Sequence, residues 1–266
     1  MNIKVVKLVY FSPTKTTKKV VEGIAQGIQV ATVKDLDLTS SAARAGELKK
    51  IDCELAIIGS PVYGGRVPDS LAHWLQKLEV NNTPAVIVVV YGNREYEDAL
   101  LELTDLARKA GFYPVAGGAF IGEHSLANEN RPIAMGRPDM EDLKKAKKFG
   151  ELIMKKIGDI RTLNEEFPLE VPGNLPYKQK QKQKHIPPVT LEILCTTCGN
   201  CAEVCPTSAI IVNDMVITKE DECISCCACI KYCPNEARIF EDPWIKQKAE
   251  WLNINYRERK EPEIYM

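Results

Sequence analysis

Nine of the ten cysteines fall between Cys195 and Cys233. They read Cys195-x2-Cys198-x2-Cys201-x3-Cys205-Pro206, and the pattern returns as Cys223-x2-Cys226-x2-Cys229-x3-Cys233-Pro234. Every position moves by the same interval, so the stretch is an internal repeat with two sets of four thiols. Thiolates are soft ligands that select iron-sulfur clusters or zinc over hard cations. A four-iron cube needs four of them, one for each iron. A disulfide framework belongs to oxidising compartments, to which nothing in the sequence points. Zinc sites usually use separated C-x2-C pairs. The doubled three-plus-one pattern, with proline after each final cysteine, suits two [4Fe-4S] clusters better than either.

Two intervening residues let the chain curl round a cube, so three closely spaced cysteines wrap one side of it. The fourth lies too far along to finish that wrap, and in the repeated form it ligates the other cluster. Cys195, Cys198, Cys201 and Cys233 are therefore expected at one cluster, and Cys223, Cys226, Cys229 and Cys205 at the other. Residues 190 to 240 resemble the bacterial two-cluster [4Fe-4S] ferredoxins. Gly199 follows the second ligand of the first repeat, where close approach of backbone to cluster suits a residue without a side chain. Its counterpart is Cys227, read as a small, weakly polar filler or as a spare thiol that could exchange with a ligand.

A second group of residues carries a different chemistry. Ser12-Pro13-Thr14-Lys15-Thr16-Thr17 opens directly into a helical pattern, and four hydroxyls at a positive helix end make a phosphate cradle. One helix cap would need fewer. Two further loops, Ser60-Pro61-Val62-Tyr63-Gly64-Gly65-Arg66 and Tyr91-Gly92-Asn93-Arg94-Glu95-Tyr96, combine turn residues with aromatics. Neither a P-loop nor G-x-G-x-x-G is present, so neither ATP nor a dinucleotide of the Rossmann type is supported.

Those loops need a scaffold. Ile3 to Phe11, Leu55 to Ile58 and Ala85 to Tyr91 are nearly continuous in apolar and β-branched residues, as strands buried on both faces are. Helical patterns at Thr16 to Ile28, Asp69 to Leu78, Glu95 to Ala110 and Pro138 to Ile157 alternate with them. Strands are expected near 2-11, 30-36, 54-60, 84-91 and 113-121, giving an α/β fold with an open parallel sheet covered on both faces. Ligands of such sheets bind beyond the carboxyl ends of the strands, where the strand order reverses. All three loops fall there.

The first loop resembles the flavodoxin phosphate motif S/T-x-T-G-x-T through Ser12, Thr14 and Thr17, with Lys15 where flavodoxins place glycine and Thr16 between. The resemblance implies a flavodoxin-like five-stranded parallel sheet, order 2-1-3-4-5, holding FMN. It implies that Tyr63 stacks on the flavin and that Gly64 reorients to meet the ring nitrogen that gains a proton on reduction. Pro61, Val62 and Gly65 would shape that loop, while Tyr91, Gly92, Asn93, Arg94 and Tyr96 embrace the other edge. Flavodoxins often put a large aromatic where Asn93 stands, so an open second ring face is expected.

With 266 residues the chain suits two domains, the smaller held by its metals. The divisions are 1-157, a flavodoxin-like domain; 158-190, a Pro/Lys/Gln-rich linker; 191-240, a ferredoxin-like domain; and 241-266, a tail. In the tail Trp244, Trp251 and Leu252 share a helical face, expected to pack on the flavin domain or a second subunit. Residues 120-138, with His124, Asn128, Asn130 and Arg131, form a long connection read as a lid. A loop histidine is ordinarily exposed, so His124 receives no catalytic role, and His73 and His185 have weaker claims. Cys53 is read as a buried small residue.

Net charge is -1, which argues against general nucleic-acid binding. Residues 1-157 hold 22 basic and 19 acidic residues, whereas 191-240 hold 3 and 7. The acidic small domain could orient a basic patch on a partner, on the large domain or on the lysines of the linker. No signal peptide or membrane span is evident, so a reducing cytoplasm is expected. The whole pattern resembles flavodoxin-ferredoxin fusion proteins. The resemblance implies electron transfer between FMN and two clusters, with redox proteins of ferredoxin, reductase or hydrogenase type as partners and a homodimer as an open possibility. The alternative is a flavin-dependent reductase of a small substrate or dioxygen fed by the clusters. No acid-base catalytic residue is assigned.

Overall fold

Helices α1 (Thr16–Ile28) and α5 (Met140–Asp159) cover one face of a central sheet, and α3 (Asp69–Leu75) and α4 (Ala99–Lys109) cover the other. The computed structural model describes residues 3–46, 51–159, 168–180 and 186–266. Strands and helices alternate as β1 (Val5–Tyr10), α1 (Thr16–Ile28), β2 (Thr32–Asp37), α2 (Ser41–Ala45), β3 (Leu55–Pro61), α3 (Asp69–Leu75), β4 (Thr83–Tyr91), α4 (Ala99–Lys109), β5 (Phe112–Ile121) and α5 (Met140–Asp159). The parallel pairs β1–β2, β1–β3, β3–β4 and β4–β5 give the order 2-1-3-4-5, the flavodoxin-like topology expected from the sequence.

Alternation along β4 explains the continuous apolar run. Val86, Val88 and Val90 face a core with Val20, Ile24, Phe149 and Ile153, while Ile87, Val89 and Tyr91 face Leu71, Trp74, Leu100 and Leu103. Burying both faces removes the choice between them, so sequence periodicity there is lost. Each fully buried Val or Ile contributes about 1.5–3 kcal/mol.

One strand was not foreseen. The C-terminal β10 (Glu263–Tyr265) pairs antiparallel with β5 and makes the sheet six-stranded. It caps an otherwise open edge. A buried hydroxyl group fixes it: Tyr96 Oη lies 2.9 Å from Glu263 Oε2 and 2.8 Å from Tyr265 Oη. Before it, α8 (Pro243–Asn255) starts with Asp242 accepting from the Trp244 and Ile245 amides and Pro243 at its first position. Leu252 packs with Ala127 and Ile133 of the 120-138 connection.

The cysteine segment contains β6 (Val189–Thr190), α6 (Asn200–Glu203), β7 (Ile210–Val212), β8 (Val216–Thr218), a 3-10 turn at Glu220–Glu222, α7 (Ala228–Lys231) and β9 (Arg238–Ile239). β6 pairs with β9 and β7 with β8, both antiparallel. The linker is described only in part, and Lys182, Lys184 and His185 lie outside the described residues. Where described, it is a strap on the larger domain, with Asp98 accepting from the amides of Asn174 and Lys178. Lys178 pairs with Glu97 and Lys180 with Asp69, so these two lysines meet acids of the larger domain and not those of the cysteine segment. Among the described residues no helix is long and apolar enough to cross a membrane.

Candidate functional site

The internal repeat extends into backbone geometry. Thr197, Gly199 and Ser208 have φ of 50°, 84° and 55°, and their counterparts Ser225, Cys227 and Glu236 have 52°, 64° and 53°. The left-handed position before each short helix is thus kept in the second repeat although cysteine replaces glycine there. Each fourth cysteine receives a backbone N–H: Ala209 N to Cys205 Sγ at 3.3 Å and Ala237 N to Cys233 Sγ at 3.2 Å. Such donation favours a thiolate.

The thiols gather round two small cavities. One is lined by Cys195, Cys198, Cys201 and Cys233, the other by Cys205, Cys223, Cys226 and Cys229, with Cys227 beside them. Burial pushes the Cys229 thiol up to about 11 and the Cys226 thiol well above its ordinary range. A buried thiolate therefore needs a metal in place of its proton. A donor set of four sulfurs with amide donors at the fourth fits a [4Fe-4S] cluster. Among the described residues no three Cys, His, Asp or Glu side chains converge on a single ion position.

The larger cavity, about 480 Å³, opens at the carboxyl ends of β3 and β4. Tyr63 and Arg66 exchange backbone hydrogen bonds of 3.0 and 3.2 Å round Gly64 and Gly65, whose φ of 61° and 83° make a tight primed turn. That turn presents Val62, Tyr63, Gly64 and Gly65 to the cavity, opposite Tyr91, Gly92 and Arg94. The Tyr63 hydroxyl is held well above its usual range, chiefly by burial, and Ile224 and Ser225 of the second cysteine repeat line the same cavity.

Not every residue singled out reaches this cavity. Pro61 is within β3, and Asn93 and Tyr96 point to the tail. Asn93 Nδ2 donates to the carbonyls of Tyr256 and Glu258, both at 2.8 Å. The side expected to be open is partly covered, because Trp244 and Trp251 of α8 line the cavity. Sequence reading placed these tryptophans on a packing face and missed Lys248, although 244, 248 and 251 fall one helical turn apart. Lys178 and Lys180 of the strap, and Ile224 and Ser225 between cysteines, line it too. No local signal marked them; tertiary docking alone brings them there.

His124 is half-buried against Gly92 and lines the cavity, contrary to the exposed loop position expected. Its Nδ1 accepts from the Leu126 amide at 3.0 Å, which leaves the proton on Nε2. Burial, followed by Lys248, Lys231 and Arg94, pushes its ordinary value of 6.5 down to about 4. The ring is a neutral donor. Cys53 is partly buried against the core, and burial raises its thiol to about 11.

The hydroxyl loop lies apart from that cavity, at the start of α1. Lys15 adopts the left-handed conformation, φ 62°, that glycine would supply, so the turn keeps its shape. Its Nζ lies 4.9 Å from the centre of the Tyr232 ring, reaching toward the cysteine segment. Ser12 Oγ is committed to capping the helix through the Lys18 amide at 3.0 Å. Thr14 and Thr16 hydroxyls are 3.5 Å apart, and Thr17 Oγ1 is buried with no hydrogen-bond partner. An orphaned hydroxyl at a helix start is what a phosphate oxygen would satisfy. These residues fit an FMN phosphate through Thr14, Thr16 and Thr17, with Ser12 serving as the cap.

A family model described as a 4Fe-4S binding domain matches residues 189–211, the first cysteine repeat. No curated protein matches the chain. Among solved structures, an archaeal flavodoxin is 16% identical with a TM-score of 0.39, covering 58% of this chain and 99% of its own. Flavodoxin 2 from Bacillus cereus is 16% identical, TM-score 0.44, covering 57% of this chain and 99% of its own. Rubredoxin oxygen:oxidoreductase from the anaerobe Desulfovibrio gigas is 17% identical, TM-score 0.42, with 58% and 36% covered. The fold assignment rests on the strand order described above, not on these likenesses.

Proposed function

We propose, from the premise of a flavodoxin-like domain joined to a 4Fe-4S domain, that this chain is an electron-transfer flavo-iron-sulfur protein. Its cofactors on this reading are one FMN and two [4Fe-4S] clusters. The observation that carries it is the crossing of the cysteines: Cys205 shares a cavity with Cys223, Cys226 and Cys229, and Cys233 shares one with Cys195, Cys198 and Cys201. That crossing is the ligand pattern of a two-cluster ferredoxin segment. When bound, FMN exchanges one or two electrons and each cluster one, so together they link one-electron and two-electron redox partners.

The chain's own residues supply the rest. Thr14, Thr16 and Thr17 would hold the phosphate, and Tyr63 to Gly65 with Tyr91 and Gly92 the ring. Tyr63 shares the large cavity with Ile224 and Ser225, which lie between Cys223 and Cys226, so the second thiol set is the nearer to the flavin. Docking keeps it there: Lys231 reaches the 120-138 connection, and Arg44 Nη2 donates to the Pro206 carbonyl at 2.5 Å. The more exposed first set, with Cys198 at the surface, would face a redox protein partner.

A second reading, reduction of a small substrate at the flavin, is favoured by one observation. The cavity is walled by His124, Ser125 and Leu126 and by the tryptophans of α8, which cover part of its mouth. An anaerobic redox titration followed by absorbance and electron paramagnetic resonance, with iron, sulfide and flavin quantified, tests the proposal. Two interacting clusters with one FMN are expected. Clusters without flavin would overturn the flavin assignment, and a single cluster the crossed ligand set.

A further inference from the structure

The cavity carries more positive charge than its own carboxylates answer. Asp69 is taken by Lys180 and Glu95 by Lys260, at 2.5 Å for the latter pair. Glu97 alone serves both Arg94, at 2.7 Å, and Lys178, at 2.5 Å. Lys248 has no carboxylate within ion-pair distance among the described residues. Its Nζ lies 4.9 Å from the centre of the Trp244 ring, half-buried on the inner side of α8. Four cations, Arg94, Lys178, Lys180 and Lys248, thus line the cavity with two carboxylates, Asp69 and Glu95, and Lys248 alone of the four makes no ion pair among the described residues. Withdrawing an ammonium from water without a counter-charge is costly unless a ligand provides one.

The same corner holds a directed donor. His124 Nδ1 is occupied by the Leu126 amide, so its Nε2–H is free to donate, and Lys248 and Arg94 both act electrostatically on the ring. Around these polar groups the wall is apolar and flat: Trp244 and Trp251 are each about half exposed, at 50% and 49%, and both line the cavity with Phe240. Large aromatic surface beside an unanswered cation is the composition of a pocket for an amphipathic anion.

We propose that the cavity binds a small organic anion with a flat apolar body, an aromatic or unsaturated carboxylate, whose carboxylate is received by Lys248 Nζ and His124 Nε2–H and whose body lies against Trp244 and Trp251. The inference deepens the second reading above by naming its substrate class, and rests on that reading only for the reaction, not for binding. A carboxylate between an ammonium and a neutral imidazole N–H gains two hydrogen bonds, one of them between opposite charges.

The test uses the full holo-protein, with flavin and iron content measured for every variant. Benzoate and its neutral analogue benzamide are titrated while tryptophan fluorescence and isothermal calorimetry are recorded. Benzoate is expected to bind at least tenfold more tightly than benzamide. Lys248→Met should reduce benzoate affinity tenfold or more and leave benzamide unchanged, with circular dichroism showing an intact fold. His124→Phe should reproduce part of that loss. Equal binding of the two probes, or unchanged benzoate affinity in Lys248→Met, would overturn the proposal. Loss of flavin in Lys248→Met, without benzoate binding to the parent protein, would assign the charge to the flavin and overturn it as well. Absence of flavin from the parent protein would sink the functional reading while leaving the binding result interpretable.

Discussion

Lys231, on the short helix that carries Cys229, donates to Glu123 Oε1 at 2.5 Å on the connection leaving β5, and also to the Ala127 carbonyl at 2.6 Å. This contact joins the cysteine segment to the wall of the large cavity. Hydrogen bonds to charged groups are worth about 1.5–3 kcal/mol each where water is excluded. Both side chains are partly solvent-exposed, at 24%, so the lower end applies. Lys231→Met should therefore loosen the junction locally. Hydrogen exchange in residues 123–127 and 228–231 is expected to speed several-fold, while iron content stays constant. Unchanged exchange would mean that the remaining contacts, Arg44 to the Pro206 carbonyl and the Ser41 hydroxyl 2.6 Å from that of Ser208, dock the segment unaided.

The same connection is anchored at its far end by an enclosed ion pair. Arg137 Nε and Nη2 meet Asp142 Oδ2 and Oδ1 at 2.8 and 2.5 Å, with side chains 5% and 0% exposed. Arg137 Nη1 also donates to the Lys260 carbonyl, tying the tail to α5. Removing one partner leaves a charge uncompensated inside the protein, at about 3–5 kcal/mol. Arg137→Ala should lower the unfolding free energy, read from urea denaturation, by an amount of that size. A much smaller loss would show that Arg259, 3.4 Å from Asp142, takes over the pairing.

The sheet and the thiol sets were legible in the sequence, and the walls of the large cavity were not. β-Branched runs and helical periodicity located β1 to β5 because both depend on local pattern. The cysteine repeat exposed its ligands because a cluster dictates spacing directly. Asn93 and Tyr96 look like cavity residues by position in their loop, yet a tail more than a hundred and fifty residues away claims both. β10 is three residues long and pairs only through tertiary docking, so no periodicity could announce it. Trp244, Lys248 and Trp251 did carry a signal, their spacing along one helix, but periodicity alone does not tell a packing face from a cavity wall.

Thr17 tests the hydroxyl cradle with two readouts of opposite sign. Its Oγ1 is buried and unpartnered, so Thr17→Val exchanges an unsatisfied hydroxyl for a methyl of similar volume. Without flavin the variant should be as stable as the parent or slightly more so, because a desolvation penalty disappears. With flavin, the lost phosphate hydrogen bond should raise the dissociation constant about tenfold, or about 1.4 kcal/mol. Equilibrium titration of the flavin-free protein with FMN measures the second effect and thermal unfolding the first. Unchanged FMN affinity would remove Thr17 from the cradle.

Cys227 separates a ligand from a neighbour. Its thiol is 2% exposed and donates to the Ser225 carbonyl at 3.5 Å, and burial pushes it up to about 12 although Ser125 acts in the opposite direction. Burial and donation to a carbonyl are what a protonated filler shows. Cys227→Ala should leave iron and sulfide at parental levels, whereas Cys226→Ala should lose the contents of one cluster. Equal losses in the two variants would place Cys227 among the ligands.

His124 makes stability depend on acidity in a defined window. Its imidazole is neutral in the folded protein because burial and the neighbouring Lys248, Lys231 and Arg94 push 6.5 down to about 4. In the unfolded chain the ring takes up a proton near its ordinary value, so between those two values the unfolded state holds a proton that the folded state lacks. Stability is therefore complete above about pH 7 and falls as pH drops toward 4, by an amount on the order of 3 kcal/mol. His124→Gln keeps a donor of similar reach and removes the titration. Urea midpoints at pH 7.5 and pH 5 should fall less in the variant than in the parent. Parallel losses in both proteins would mean that His124 is protonated in the folded state, and that the cavity answers its charge with a group other than the three cations around it.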